Sequence, residues 1–259
     1  MRRIARKLLS PIYKIYERRL LRQVRKGPVP NHLAVIMDGN RRYAESLGRP
    51  TYEGHIMGKG TLEDLSEWSR NLNIRYLTVY AFSLENFSRK EEELSPLMNL
   101  FALSFLDAGN DPRVHENKVR VRALGHRELL PKNVIEAIEY AEDKTKDYSD
   151  YNYNLAVAYG GRQEIVRSME KIAKKIESGE VHSSQIDADL ISENLYTSDL
   201  PDPDLILRTS GEERISNFFV WQLAYSELYF ADVFWPAMGK IDFLRAIRSF
   251  QQRKRRLGR

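Results

Sequence analysis

The sequence predicts a single α/β domain, with a central, mostly parallel six-stranded sheet covered by helices. Three observations lead there. Short apolar runs alternate with longer segments of helical periodicity. Several runs are apolar at nearly every position, as strands buried on both faces should be. Polar, glycine-bearing clusters follow four of the runs, where an open parallel sheet collects its functional loops. A chain of 259 residues with 42% hydrophobic content is long enough for one sizeable core.

The elements follow in order. Ser10-Pro11 reads as an N-cap with proline at the first helical position. Leu9, Tyr13, Tyr16, Leu20 and Val24 recur at helical spacing, giving a basic amphipathic helix over 11–26. Gly27-Pro28-Val29-Pro30 is a linker, so residues 1–30 form an N-terminal helix and linker and 31–259 the main domain. Strands are expected at 33–37, 76–82, 119–124, 153–158, 204–208 and 228–233. Helices are expected at 41–47, 54–72, 91–106, 131–147, 162–178, 185–195, 217–225 and 240–255. No internal repeat interrupts this pattern.

Charge and composition remove several function classes. The chain has no cysteine, which excludes disulfides, iron–sulfur clusters and a cysteine nucleophile. No apolar run reaches bilayer length, so the expectation is a soluble cytoplasmic protein. The net charge of +5 hides an asymmetry: residues 1–26 carry +9, residues 245–259 carry +7, and the body between carries −11. A nucleic-acid-binding domain would spread a basic face over its fold, so nucleic acid is not an expected partner. The basic N-terminal helix fits two roles equally, peripheral contact with an anionic membrane surface or packing on the body.

The polar clusters carry the chemistry. His32-Leu-Ala-Val-Ile-Met-Asp-Gly-Asn-Arg-Arg-Tyr43 is a strand ending in a carboxylate, a glycine and two arginines. Such a loop suits phosphate oxygens, with Asp38 able to hold a hard divalent cation beside them. From these residues alone, an ordinary strand-turn-helix with a capping aspartate is an equal reading. Ser83, Glu85, Asn86 and Arg89 follow the second strand, Gly160, Gly161 and Arg162 the fourth. Arg208, Thr209, Ser210, Gly211, Arg214 and Ser216 follow the fifth. Together they could hold two diphosphates.

From His32 to Gly258 the chain resembles the cis-prenyltransferases of the undecaprenyl diphosphate synthase type. The resemblance rests on the Asp38 motif, Leu77-Thr-Val-Tyr-Ala-Phe-Ser-Leu-Glu-Asn-Phe-Ser-Arg89, Asn154-Leu-Ala-Val-Ala-Tyr-Gly-Gly-Arg162 and Asp204-Leu-Ile-Leu-Arg-Thr-Ser-Gly211. It continues through Arg214-Ile-Ser-Asn-Phe-Phe-Val-Trp-Gln-Leu-Ala-Tyr-Ser-Glu-Leu-Tyr-Phe230 and Arg256-Leu-Gly258. Arg41 in place of a common glycine, and the long basic N-terminus, look more like archaeal or eukaryotic members. Thr51 stands where many members have a phosphate-binding arginine, Phe87 where many have tryptophan, and Glu213 where bacterial members often place histidine.

The resemblance implies a homodimeric transferase that adds isopentenyl diphosphate repeatedly to an allylic diphosphate, farnesyl or geranylgeranyl, making cis double bonds. The product would be a long-chain polyprenyl diphosphate, precursor of a glycosyl carrier lipid. Gly39, Asn40, Arg41, Arg42 and Tyr43, with His55, would bind the allylic diphosphate. Mg2+ would be held by Asp38 and Glu227. Arg208, Arg214, Ile215 and Ser216 would bind isopentenyl diphosphate. Ser83 and Asn86 would sit near the reacting carbons, Leu84, Glu85, Phe87 and Arg89 would also bind substrate, and Asp38 and Asn86 would be catalytic. Arg256 would reach the partner's site, and Leu94 to Leu106 would line a tunnel for the growing chain. A non-catalytic partner subunit of a heteromeric enzyme is the alternative; such subunits lose the aspartate loop, which is present here.

Overall fold

The structure is a computed structural model that describes residues 2–253, with side chains described from residue 11 onward. Arg256 therefore lies outside the described residues. Strands β1 (His32–Ile36), β2 (Tyr76–Ser83), β3 (Val119–Leu124), β4 (Tyr151–Tyr159), β5 (Leu205–Arg208) and β6 (Glu227–Phe230) form one sheet in the order β3-β4-β2-β1-β5-β6. Every pairing is parallel, so the sheet is wholly rather than mostly parallel. The nine α-helices among the described residues are α1 (Arg2–Val24), α2 (Asn40–Ser46), α3 (Thr51–Arg70), α4 (Glu91–Asn110), α5 (Pro112–Glu116), α6 (Lys132–Thr145), α7 (Gly161–Glu177), α8 (Ala188–Glu193) and α9 (Lys240–Gln252).

Strand alternation sorts the core into two halves. Leu33, Val35, Leu77, Val79, Leu205 and Leu207 face a large cluster that includes Leu65, Phe101, Ile138 and Ile247 from the helices. Ala34, Ile36, Tyr80, Ala156 and Ile206 face a smaller cluster with Phe218 and Phe219. Adjacent residues thus point to opposite faces, and both faces are covered. The helices bury a periodic stripe: Val134, Ala137, Ile138, Ala141 and Thr145 in α6, and Phe243, Leu244, Ala246, Ile247 and Phe250 in α9. β1 has β2 on one side and β5 on the other. The chain order reverses there, and a crevice opens beyond the carboxyl ends of these strands.

Three sequence expectations need correction. The N-terminal helix begins at Arg2 and runs through Pro11; proline removes its own N–H bond but does not stop the helix here. The expected helix at 217–225 is absent. Ser216, Asn217 and Phe219 have left-handed backbone (φ 48°, 62° and 48°), and only Gln222–Tyr225 forms a 3₁₀ turn. Phe218 and Phe219 are fully buried and stacked at 4.3 Å, so their burial comes from a contiguous pair and not from a helical stripe. The helix expected at 185–195 shortens to α8, capped by Asp187, whose Oδ1 accepts the Leu190 N–H at 2.8 Å.

The C-terminal half of α1 packs on α9. Leu20 and Val24 are buried, Gln251 Nε2 donates to the Val24 carbonyl at 2.7 Å, and Lys240 pairs with Glu17 at 3.6 Å. One turn earlier, Ile12, Tyr13 and Ile15 are exposed. No helix among the described residues is long and apolar enough to cross a membrane.

Candidate active site

The buried β1 delivers Asp38 to the crevice, and the next residue must turn sharply. Gly39 has φ 103°, and a Cβ there would lie 2.7 Å from Phe234 Cδ1, so glycine is required by conformation and by space. Asn40 then opens α2. This helix is only seven residues long, so the positive charge of the loop comes chiefly from arginine side chains. Thr209 ties the ends of β1 and β5 together: its hydroxyl donates to the Asp38 carbonyl at 2.7 Å, and its Oγ1 lies 3.0 Å from the Asp38 N–H.

Two guanidinium groups hold the Asp38 carboxylate. Arg208, the last residue of β5 and 3% exposed, donates from Nη2 to Asp38 Oδ2 at 2.8 Å and from Nη1 to Ser216 Oγ at 2.8 Å and to the Arg214 carbonyl. Arg42 reaches Asp38 Oδ1 at 3.3 Å, Ser210 Oγ at 2.7 Å and Glu212 Oε1 at 3.0 Å. Burial would raise the Asp38 pKa, but the Arg208 bond and charge, Ser210 and Arg42 outweigh it and hold the carboxyl below its usual value. Glu212 also pairs with Arg214, so one carboxylate bridges two arginines that flank the cleft.

The opposite wall comes from β2 and α3. Asn86 Oδ1 accepts the Ser83 N–H at 3.2 Å, which folds the turn after β2 back on itself. Glu93 pairs with Arg89 at 2.8 Å and Arg41 at 3.6 Å. His55 stands nearby with its pKa lowered to about 4, first by burial and then by the Arg89 charge. Its Nε2 is buried without a protein partner. The imidazole is neutral at pH 7, and its buried Nε2 is available for an outside hydrogen bond.

These groups enclose a cleft of about 400 Å³. It adjoins an apolar cavity of about 180 Å³ under α3 and α4, lined by Leu62, Leu77, Leu97, Leu100, Phe101 and Phe105. Met37, Asn40, His55 and Ala81 border both spaces. A charged head group and an apolar tail can therefore be held end to end.

Comparison with known proteins agrees with this geometry. The family model "Putative undecaprenyl diphosphate synthase" matches residues 36–258. The chain belongs to this family, the cis-prenyltransferases. It is 50% identical to a tritrans,polycis-undecaprenyl-diphosphate synthase (geranylgeranyl-diphosphate specific) of Methanocaldococcus jannaschii, over 96% of this chain and 90% of that protein. A protein of the same description from Thermococcus kodakarensis is 51% identical, over 97% and 96%. Among solved structures, lavandulyl diphosphate synthase from Lavandula x intermedia, in complex with dimethylallyl diphosphate, superposes with a TM-score of 0.86 at 36% identity, over 89% of this chain and 99% of that one. A probable undecaprenyl diphosphate synthase from Campylobacter jejuni gives 0.72 at 34% identity, over 90% and 100%. The protein is a transferase that elongates prenyl chains in cis.

In this cis-prenyltransferase the residues expected from the motifs divide into three groups. Asp38, Gly39, Asn40, Arg41, Arg42, His55, Ser83, Asn86, Arg89, Arg208, Arg214 and Ser216 line the cleft. Tyr43, Leu84, Glu85, Phe87 and Ile215 do not. Leu84 and Phe87 pack against the main core, Phe87 edge-on to Phe82 at 4.9 Å, and Glu85 accepts from Asn217 at 2.9 Å.

Glu227 forms the third group and is a correction. It pairs in register with Leu205 at the amino end of β5, whereas Asp38 lies beyond Ile36, which pairs with Arg208 at the carboxyl end. By register Glu227 lies three strand positions, roughly 10 Å, before the end of β5 and Asp38 lies past the end of β1, and Glu227 is ion-paired with Arg253 at 2.7 Å. Within one protomer they cannot share an ion. Among the described residues no cluster of three or more His, Asp or Glu side chains forms a metal site. Tyr80 and Glu212, absent from the expected site residues, also line the cleft; the acid two positions before Arg214 is the sequence signal that points to Glu212.

Proposed function

We propose that this transferase extends geranylgeranyl diphosphate by repeated cis addition of isopentenyl diphosphate, yielding a long-chain polyprenyl diphosphate that is the precursor of a glycosyl carrier lipid. The observation that carries the reading is the junction of an arginine-rich cleft with an apolar cavity at Met37, Asn40, His55 and Ala81. The primer is favoured by the relatives described as geranylgeranyl-diphosphate specific.

The chemistry follows from charge. The allylic C–O bond breaks, leaving a carbocation and a diphosphate; the isopentenyl double bond attacks the cation, forming a C–C bond, and a proton leaves its C2. Arg41, Arg42 and the spare His55 nitrogen stabilise charge on the leaving diphosphate. Arg208, Arg214 and Ser216 clamp the second diphosphate, so the two reacting carbons meet in line. A diphosphate also competes with Glu212 for Arg42 and Arg214, which makes Glu212 a counter-ion that substrate displaces. Asn86 is a poor base, and proton removal through a diphosphate oxygen or Asp38 is the easier route.

Asp38 suits Mg2+, which keeps few protein ligands and shares phosphate oxygens and water; bound there, it would act as a Lewis acid on the leaving group. Glu227 of the same protomer does not suit this role. The family resemblance supports a homodimer with Arg256 reaching across. The exposed Ile12, Tyr13 and Ile15 beside the basic residues of α1 support peripheral membrane contact.

The test is mass analysis of products from purified protein, isopentenyl diphosphate, Mg2+ and either primer. Products rising in five-carbon steps, formed faster from geranylgeranyl than from farnesyl diphosphate and abolished by chelator, are expected. No elongation from either primer would reject the reading.

A further inference from the structure

Asn217 lies just behind the cleft and joins three loops at the carboxyl edge of the sheet. It and Ser216 adopt left-handed backbone, a conformation that asparagine tolerates and serine keeps where its surroundings enforce it. The enforcement is visible. The Asn217 carbonyl accepts the Gly161 N–H at 2.7 Å, and its Oδ1 accepts the Arg162 N–H at 2.9 Å, so the first turn of α7 is tied to it. Its Nδ2 donates to Glu85 Oε1 at 2.9 Å and to Gln163 Oε1 at 3.0 Å.

Those bonds complete a line across the site. Glu85 sits in the turn closed by Ser83 and Asn86. Asn217 holds Glu85, Ser216 precedes Asn217, and Ser216 Oγ accepts from Arg208, which also holds Asp38. The turn after β2 and the loop after β5 share no strand pairing, since β1 separates them; this side-chain amide links them directly through Glu85.

We propose that Asn217 is a positioning residue that sets Ser216 and Arg214 against the Ser83–Asn86 turn, and so places the homoallylic diphosphate relative to the allylic carbon. This rests on the proposed condensation of two diphosphates. Substrate contact remains with the residues already named; Asn217 acts through them. A residue that only capped α7 would affect stability and treat both substrates alike.

Three variants separate these roles. Asn217→Gly keeps the left-handed backbone and deletes the amide. Asn217→Asp keeps an acceptor for Arg162 but sets a carboxylate against Glu85. Adding Glu85→Gln to Asn217→Asp restores a donor–acceptor pair with its polarity reversed. Wild-type condensation is measured first: its absence rejects the functional reading, and the inference with it. With wild-type turnover normal, both single variants should raise the KM for isopentenyl diphosphate about tenfold, leave the allylic KM and the melting temperature near wild type, and be worst for Asn217→Asp. The double variant should recover at least about threefold of that loss. An isopentenyl KM unchanged in both single variants, parallel shifts in both KM values and the melting temperature, or no recovery in the double variant would overturn the role of Asn217 alone.

Discussion

His32 and His55 sit at opposite edges of the sheet, and both have pKa values lowered to about 4, chiefly by burial. Their hydrogen bonds differ. His32 Nδ1 lies 2.6 Å from the Pro201 carbonyl and Nε2 lies 2.8 Å from Thr78 Oγ1, so both nitrogens are engaged within the protein. Beside it, Asp204 accepts the N–H groups of Asn31 and His32 at 2.7 and 3.1 Å. His55 keeps a buried Nε2 without a protein partner and faces Arg41 and Arg89. Identical residue types with similar pKa depression thus serve different ends: an imidazole bonded at both nitrogens holds the fold, and one with a buried, unpartnered Nε2 beside a cationic cleft awaits a ligand.

The largest test of that contrast is at the cleft itself. Asp38→Asn keeps an acceptor for Arg208 and removes the charge; kcat/KM should fall at least about 10³-fold, roughly 4 kcal/mol of transition-state stabilisation. Near-normal turnover in the folded variant would place the catalytic carboxylate elsewhere. Next, His32→Ala should cost about 2–4 kcal/mol of stability in urea unfolding, because it empties a buried site, strands the Pro201 carbonyl and leaves Thr78 Oγ1 with Asn154 alone, with turnover per folded molecule retained. His55→Ala should do the reverse, lowering turnover about 10- to 100-fold with little change in melting. Exchange of those two outcomes would dissolve the comparison.

A smaller, graded effect is expected with pH. Both imidazoles titrate near 6.5 when unfolded and near 4 when folded. Between these values the unfolded chain binds protons that the folded chain refuses, and stability falls as pH drops through that window. For His32 the loss approaches about 3 kcal/mol at pH 4. Asp38, depressed in the fold, adds a further loss only below its ordinary titration near pH 4. Urea unfolding at stepped pH should show the decline, and His32→Gln should flatten it; an unaltered slope in the variant would remove His32 as its source.

Much of this is legible in the sequence because apolar runs mark strands buried on both faces, and polar loops that follow such runs must share one edge of a parallel sheet. Strand order and polarity are enough to bring Asp38, Ser83, Arg208 and Ser216 together. The same reasoning fails at Ser216, Asn217 and Phe219, where left-handed backbone on non-glycine residues has no sequence signature and imitates a helix. Glu227 teaches a different lesson. It stands at the start of its strand, and in a parallel sheet a residue there belongs to the amino edge. Strand placement and the metal role implied by family resemblance are incompatible within one protomer, and the register makes the conflict explicit.

The cavity under α3 and α4 has a mechanical consequence. At about 180 Å³ it is somewhat larger than the roughly 150 Å³ that accommodates one benzene molecule, and it is open at its mouth. Lys59 on α3 and Asp107 on α4 border this space and are joined by a 2.5 Å bridge, so any widening between the two helices would work against that bridge.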